Sequence, residues 1–358
     1  LIVTYIHSTC AEDQIRVQLR CRNFADAINR TRVHSAHLLE LDAFIRNTPE
    51  AEQLCSASDL LVIHRYVFGP VLPVIQYWKA RDKKVIVDFD QALNHLTPDL
   101  PGYTFWMEGN TQVGFAAYRN HSNELPLEQF KWGLGMLDAA TVSSSRLADD
   151  WSRLTTIYEI PEYLNTYQYP ASEHGRGTEI WVGLGNTSPF SSLEQSGLLA
   201  AMQQVCQKRP QVRLIWSDAY NDLPRQLDLP AEQVQAYARH SFEDWVNALL
   251  KLDLGVFPMA GNYDLRLSSI HLLEFMLSKI PWVASGYPGF REYSKYGVWV
   301  KNSAEAWENA LLHMVDHLGA YRKKASGEAF LFALGQDISV NVDKVLRVYT
   351  SILTQAQR

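Results

Sequence analysis

DLGVFPMAGNYDLRLSSIHLLEFMLSKIPWVAS, residues 253–285, places two short apolar runs on either side of one amphipathic stretch. DLGVFPMA and PWVAS have the length and composition of buried strands, whereas Ile270, Leu273 and Leu277 recur at the spacing of one helix face. Ser268 and Ser269 stand where a helix N-cap belongs, and Pro281 ends the helix. Strand, helix, strand is the repeating unit of a parallel sheet. The helix also carries His271 and Glu274 one turn apart. A helix amino terminus attracts anions such as phosphate, and a carboxylate one turn in accepts sugar hydroxyls. The alternative is a partly buried carboxylate paired with His271 or Lys279.

The same alternation runs outward in both directions. Toward the amino terminus, IWVGLG reads as a strand ending in glycines, SLEQSGLLAAMQQVCQKR as a helix, VRLIWSD as a strand and SFEDWVNALLKL as a helix. Earlier still come LIVTYI, the helical IRVQLRCRNFADAINR, DLLVIHR, GPVLPVIQYWKARDK and KVIVDFD. Both halves therefore read as α/β, with parallel sheets covered on both faces. LTPDLPGYTFWMEGNTQ, residues 96–112, breaks the pattern and reads as a long surface loop. YQYPASEHGRGTE, residues 167–179, is poor in aliphatics and reads as the linker. After VWVKN the chain is helical to its end and could cross back onto the first half.

The bulk properties exclude several classes. With 358 residues the chain suits two domains, and 47% apolar with 20% charged residues is ordinary for a globular protein. A net charge of -6 gives no global field for nucleic acid or an anionic membrane. Cys10, Cys21, Cys55 and Cys206 are scattered, without metal-finger or disulfide spacing. No apolar run approaches the roughly 20 residues of a spanning helix, and LIVTYI lacks the order of a signal peptide. The expectation is a cytoplasmic protein, with peripheral contact at the inner face of the membrane if its acceptor is lipid-linked. LIVTYIHSTCAED has no dinucleotide fingerprint, which sets an oxidoreductase aside.

In open parallel sheets ligands bind beyond the carboxyl ends of the strands. In the second half those positions include Gly183, Gly185 and Asn186 after one strand, Ser217 after the next, and Ser241 and Phe242 before a helix. Asn262, Arg266, Ser268 and Ser269 follow the strand DLGVFP. Gly, small hydroxyls and aromatics suit close approach to a phosphate and packing against a base. Ser241 also reads as the cap of its own helix. In the first half, His7 closes one strand, Arg65 another, and Asp88 and Asp90 a third. Tyr103, Phe105 and Trp106 in the 96–112 loop could stack on an acceptor or fold under the loop as a small core.

The order SDLLVIHR, KKVIVDFD, DAATVSSSRLADDW, IWVGLGN, SFEDWVNALLKLDLGVFPMAGN, SSIHLLEFMLSKIPWVAS and GYPGFREYSKYGVWVKNSAEAWENAL resembles the GT-B-fold glycosyltransferases, particularly the family 4 type. The resemblance covers nearly the whole chain. It implies two Rossmann-like domains facing across a cleft: residues 1–170 an acceptor domain, 175–330 a nucleotide-sugar donor domain, and 331–358 a helical segment packing back on the first. It implies transfer of a sugar from a nucleotide-sugar donor to a glycan, lipid-linked or protein acceptor, with retention of configuration and without a metal or other cofactor.

On this resemblance Glu274 matches the glutamate that holds the donor ribose, while Arg266, His271 and the amides near Ser268 would neutralise the diphosphate. Asp88, Asp90, His7 and Arg65 become the catalytic candidates at the cleft, and Tyr103, Phe105 and Trp106 the acceptor contacts. Two departures stand out. Arg266 occupies the position, eight before Glu274, where such enzymes commonly carry a second glutamate, and no lysine stands near the helix start. They favour the alternative of a catalytically degenerate GT-B binding or scaffold protein.

Overall fold

The computed structural model describes all residues except 101, 111–123, 171–176, 185–188, 219–222, 238–240 and 356–358. The chain divides into two compact units: residues 1–163 with 266–268 and 338–358, and residues 164–265 with 269–337.

Among the described residues the first unit holds β1 (Ile2–His7), β2 (Ser35–Glu40), β3 (Leu60–His64), β4 (Lys84–Phe89), β5 (Ala139–Val142) and β6 (Ile157–Glu159). They form one parallel sheet in the order β2-β1-β3-β4-β5-β6. Strand order reverses between β1 and β3, so the crevice that an open sheet offers a ligand opens at their carboxyl ends. β3 is buried at every residue, LLVIH, as a central parallel strand must be. The helix Ile338–Thr354 belongs to this unit and buries Val342, Val345, Tyr349 and Ile352 in its core. There the Tyr349 and Tyr5 hydroxyls lie 3.0 Å apart. Each large apolar side chain so buried contributes about 1.5–3 kcal/mol.

The second unit holds β7 (Ile180–Leu184), β8 (Val212–Ser217), β9 (Val234–Tyr237), β10 (Leu254–Phe257), β11 (Trp282–Ser285) and β12 (Val298–Val300), again all parallel, in the order β12-β11-β10-β7-β8-β9. This is the Rossmann order, with its switch point between β7 and β10. The helix Ile270–Leu277 follows β10 and is buried at all eight positions, hence its continuous IHLLEFML rather than a one-faced stripe. Gly255 in β10 lets the Phe275 ring of that helix lie flat on the strand, since a Cβ there would meet three ring atoms at 2.7 Å.

The structure departs from the sequence reading in several places. β2, β6 and β9 were not evident as strands: each lies at a sheet edge, where half-exposed residues dilute the apolar run. Residues 96–112 are not simply a surface loop. Tyr103–Glu108 is a helix bounded by Gly102 and Gly109, both at positive φ, and it buries Phe105 and Trp106. Of the expected linker, 171–176 lie outside the described residues, and the first unit's long segment ends at Tyr163.

Candidate functional site

In the second unit the helix after β10 carries Glu274, which is fully buried. Its Oε1 accepts from the Tyr169 hydroxyl at 2.8 Å and from Trp245 Nε1 at 2.9 Å, and its Oε2 lies 2.7 Å from His271 Nδ1. A carboxylate only accepts, so the His271 proton sits on Nδ1 and donates. His271 Nε2 is buried with no hydrogen-bond partner, and the ring stands edge-on to Trp245. The pairing of Glu274 with His271 that the alternative reading named is present, with the carboxylate wholly rather than partly buried. Lys279 points its ammonium at the Phe330 ring instead. Tyr169 and Trp245, from 105 and 29 positions away, escaped the sequence reading.

The other expected donor positions sort by local structure. Ser241 caps the helix Phe242–Leu249 through a reciprocal capping box with Asp244. Phe242 packs edge-on against Tyr169. Ser217 ends β8 and is buried. Gly183 lies inside β7, where a Cβ would collide with Leu252, so close packing accounts for that glycine. Gly185 and Asn186 lie outside the described residues. Asn262 is exposed in the turn after β10.

The serines expected as N-caps act otherwise. Ser269 holds the N-cap position but makes no side-chain cap; its hydroxyl bonds that of Tyr293 at 2.7 Å. Ser268 donates to Glu162. Arg266 and Ser268 belong to the first unit, whereas Ser269, His271 and Glu274 belong to the second. The Arg266 guanidinium grips Asp150 through Nε and NH2, and Ser144 donates to its carbonyl at 2.9 Å. The arginine expected to meet a diphosphate is thus engaged by a carboxylate.

The first unit contains a buried charge cluster at its switch point. Asp88 accepts from Arg20 Nε at 2.9 Å and NH2 at 2.5 Å and from Thr141 at 2.6 Å. Asp90 accepts from Arg65 NH2 at 3.0 Å and faces Arg16 NH1 at 3.1 Å. Arg65 also donates to Asp13 at 2.7 Å, whose other oxygen takes the Tyr66 hydroxyl at 2.7 Å. Arg16 reaches Glu162 at 3.3 Å. Burial alone would raise Asp90, but Arg16 and Arg65 outweigh it and hold the carboxyl well below the usual range; Glu162 is pushed up, chiefly by burial. Arg65 adopts a left-handed backbone, φ 66°, held in place by these pairs. Asp13, Arg16, Arg20 and Glu162 gave no sequence signal, because a buried arginine on an amphipathic helix reads like an exposed one.

His7 is buried beside the Ser8 carbonyl, and burial lowers its pKa. His64 is fully buried, with neither ring nitrogen hydrogen-bonded, and burial followed by Arg65 holds its pKa well below the usual value. Its contribution to stability is therefore complete above the unfolded pKa, about 6.5, and is lost as pH falls below that toward the folded value. His64→Leu should remove up to about 1.4 kcal/mol per pH unit of the acid slope in urea melts between neutrality and mildly acidic pH. An unchanged slope would place the acid sensitivity elsewhere.

A cavity of about 190 Å³ opens beside this cluster. It is lined by Glu12 and Asp13 after β1, Arg65 and Tyr66 after β3, and Gln91 after β4. Leu100, Gly102, Thr104, Phe105 and Trp106 complete the lining. Trp106 stacks on Tyr66 with centroids 5.7 Å apart. Of the expected acceptor contacts, Phe105 and Trp106 line this cavity from an aromatic core, and Tyr103 stands half-buried at the start of their helix. Among the described residues no group of three or more His, Cys, Asp or Glu is placed to hold a metal, and no helix is long and apolar enough to cross a membrane.

Two parallel α/β units, each with its switch point, are the build of the GT-B fold. Solved structures with that likeness cover the whole chain. Sucrose-phosphate synthase from Thermosynechococcus elongatus matches with a TM-score of 0.63 at 12% identity over 99% of this chain and 100% of its own. HepE of Anabaena, solved with UDP and glucose, matches at 0.61 and 14% over 98% and 99%. A putative UDP-N-acetylglucosamine 2-epimerase from Listeria monocytogenes matches at 0.55 and 11% over 100% and 98%. No family model matches the sequence, and no curated protein does. The likeness is one of fold: the chain has the GT-B architecture of nucleotide-sugar glycosyltransferases.

Proposed function

We propose that the chain is a glycosyltransferase that binds a nucleoside-diphosphate sugar in its second unit and an acceptor in its first. The observation that carries this reading is Glu274: a wholly buried carboxylate on the helix that follows the switch-point strand β10, its oxygens held by hydroxyl and N–H donors. A ribose diol presents the same chemistry as the Tyr169 hydroxyl now bound there. The fold shared with HepE, solved with UDP and glucose, supports a nucleotide sugar as donor.

In the proposed complex the ribose replaces Tyr169 on Glu274, and the diphosphate lies at the amino terminus of the helix Ile270–Leu277, where backbone dipoles favour negative charge. Retention of configuration and metal-independent departure of the diphosphate belong to the same proposal, the protein acting by orientation and by stabilising the leaving charge. The Asp150-bound Arg266 leaves His271 Nε2 as the candidate donor to phosphate oxygen.

His271→Ala should weaken UDP binding by about tenfold, measured by calorimetry on the folded chain. Unchanged affinity would remove His271 from the diphosphate site; no binding of UDP or any nucleotide sugar to the folded chain would favour the scaffold reading.

A further inference from the structure

The first-unit cavity permits a narrower statement about the acceptor, resting on the transferase reading. It lies beyond the carboxyl ends of β1, β3 and β4, next to the strand-order reversal, where an open sheet receives its ligand. Its volume of about 190 Å³ lies below the roughly 300 to 1,000 Å³ of most small-molecule pockets, which suits a ligand as small as a single ring.

The walls differ in kind. Phe105, Trp106 and Leu100 present apolar surface, whereas Glu12, Asp13, Arg65, Gln91 and Thr104 present hydrogen-bonding groups. A pyranose has the matching division between its C–H faces and its hydroxyl rim. Arg65 Nε is buried with no hydrogen-bond partner while Arg65 lines the cavity, which leaves a donor for a ligand oxygen. The exposed Glu12 carboxylate can accept from hydroxyls.

Charge selects further. Arg65 is bonded to Asp13 and Asp90, Arg16 to Asp90 and Glu162, and Arg20 to Asp88. No guanidinium of the cluster is left without a carboxylate, and among the described residues that line the cavity Glu12 and Asp13 accompany one cation, Arg65. A phosphate or carboxylate placed there would meet excess negative charge, an unfavourable juxtaposition.

We propose that this cavity receives the acceptor as one hexopyranose ring without an anionic group and rejects phosphorylated and carboxylated sugars. The test is ligand-observed NMR titration of the whole chain with methyl gluco-, galacto- and mannopyranosides, glucose 6-phosphate and a methyl glucuronide. UDP is titrated calorimetrically on the same samples, and the rim variants Thr104→Trp and Glu12→Lys are run in parallel.

At least one neutral glycoside should bind saturably. Thr104→Trp should weaken it by about tenfold or more by filling the mouth, and glucose 6-phosphate should bind about tenfold more weakly than the neutral ring. Glu12→Lys should narrow that second gap. Tighter binding of the phosphate or glucuronide than of the neutral ring overturns the proposal, as does glycoside binding that Thr104→Trp does not affect. UDP binding without any glycoside binding overturns it too, while leaving the transferase reading intact. Glycoside binding without UDP binding supports the cavity assignment and counts against the transferase reading.

Discussion

Tyr169→Phe should strengthen UDP binding while Glu274→Ala abolishes it. Glu274 is the shared acceptor of Tyr169, Trp245 and His271, all buried or nearly so. Truncating it to alanine strands three buried donors at about 1–3 kcal/mol each, so the second unit should lose several kcal/mol as well as its ligand. On its own that variant cannot separate a binding role from a structural one.

Tyr169→Phe separates them. It frees one lone pair of Oε1 and removes the hydroxyl that competes with the ribose, at a stability cost of about 1 kcal/mol. The expected gain in UDP affinity is about three- to tenfold, measured by calorimetry on a sample whose melt confirms folding. Affinity unchanged or reduced in Tyr169→Phe would mean that Glu274 serves only to tie Tyr169, Trp245 and His271 together.

Arg20→Met should cost the first unit about 3–5 kcal/mol, because it leaves Asp88 buried with the Thr141 bond alone of its three described side-chain hydrogen bonds. Against a typical total of about 5–15 kcal/mol that is a severe loss. The double variant Arg20→Met with Asp88→Leu should recover most of it, since removing both charges removes the uncompensated one; the Ile160 carbonyl, which accepts from Arg20 at 2.7 Å, still loses its donor. Urea melts of the four proteins in the cycle give the coupling directly. A cost below about 1 kcal/mol for Arg20→Met would show that water reaches Asp88 and that the pair behaves like a surface ion pair.

The apolar, β-branched centre of each sheet was legible because a parallel strand buried on both faces has no room for polar residues, as LLVIH in β3 illustrates. The edges were not, since VQAY in β9 and SAHLLE in β2 alternate burial with exposure over too few residues. Within the site, His271 and Glu274 were legible because their partnership is local to one helix turn. Tyr169, Trp245 and the Arg16, Arg20, Asp13 and Glu162 cluster were hidden because burial and partner are set by long-range packing. Trp106 shows the converse: proline and glycine around it signalled a loop, yet Gly102 and Gly109 bound a helix that turns the ring inward onto Tyr66.

The most direct test of a donor site on the β10 side of the second unit is amide hydrogen exchange, read by mass spectrometry, of the whole chain with and without saturating UDP. Protection concentrated in residues 254–277, with the first-unit segments 60–90 and 103–108 unchanged, is the predicted result. Protection confined to the first unit, or none anywhere at a concentration where calorimetry detects binding, would contradict it.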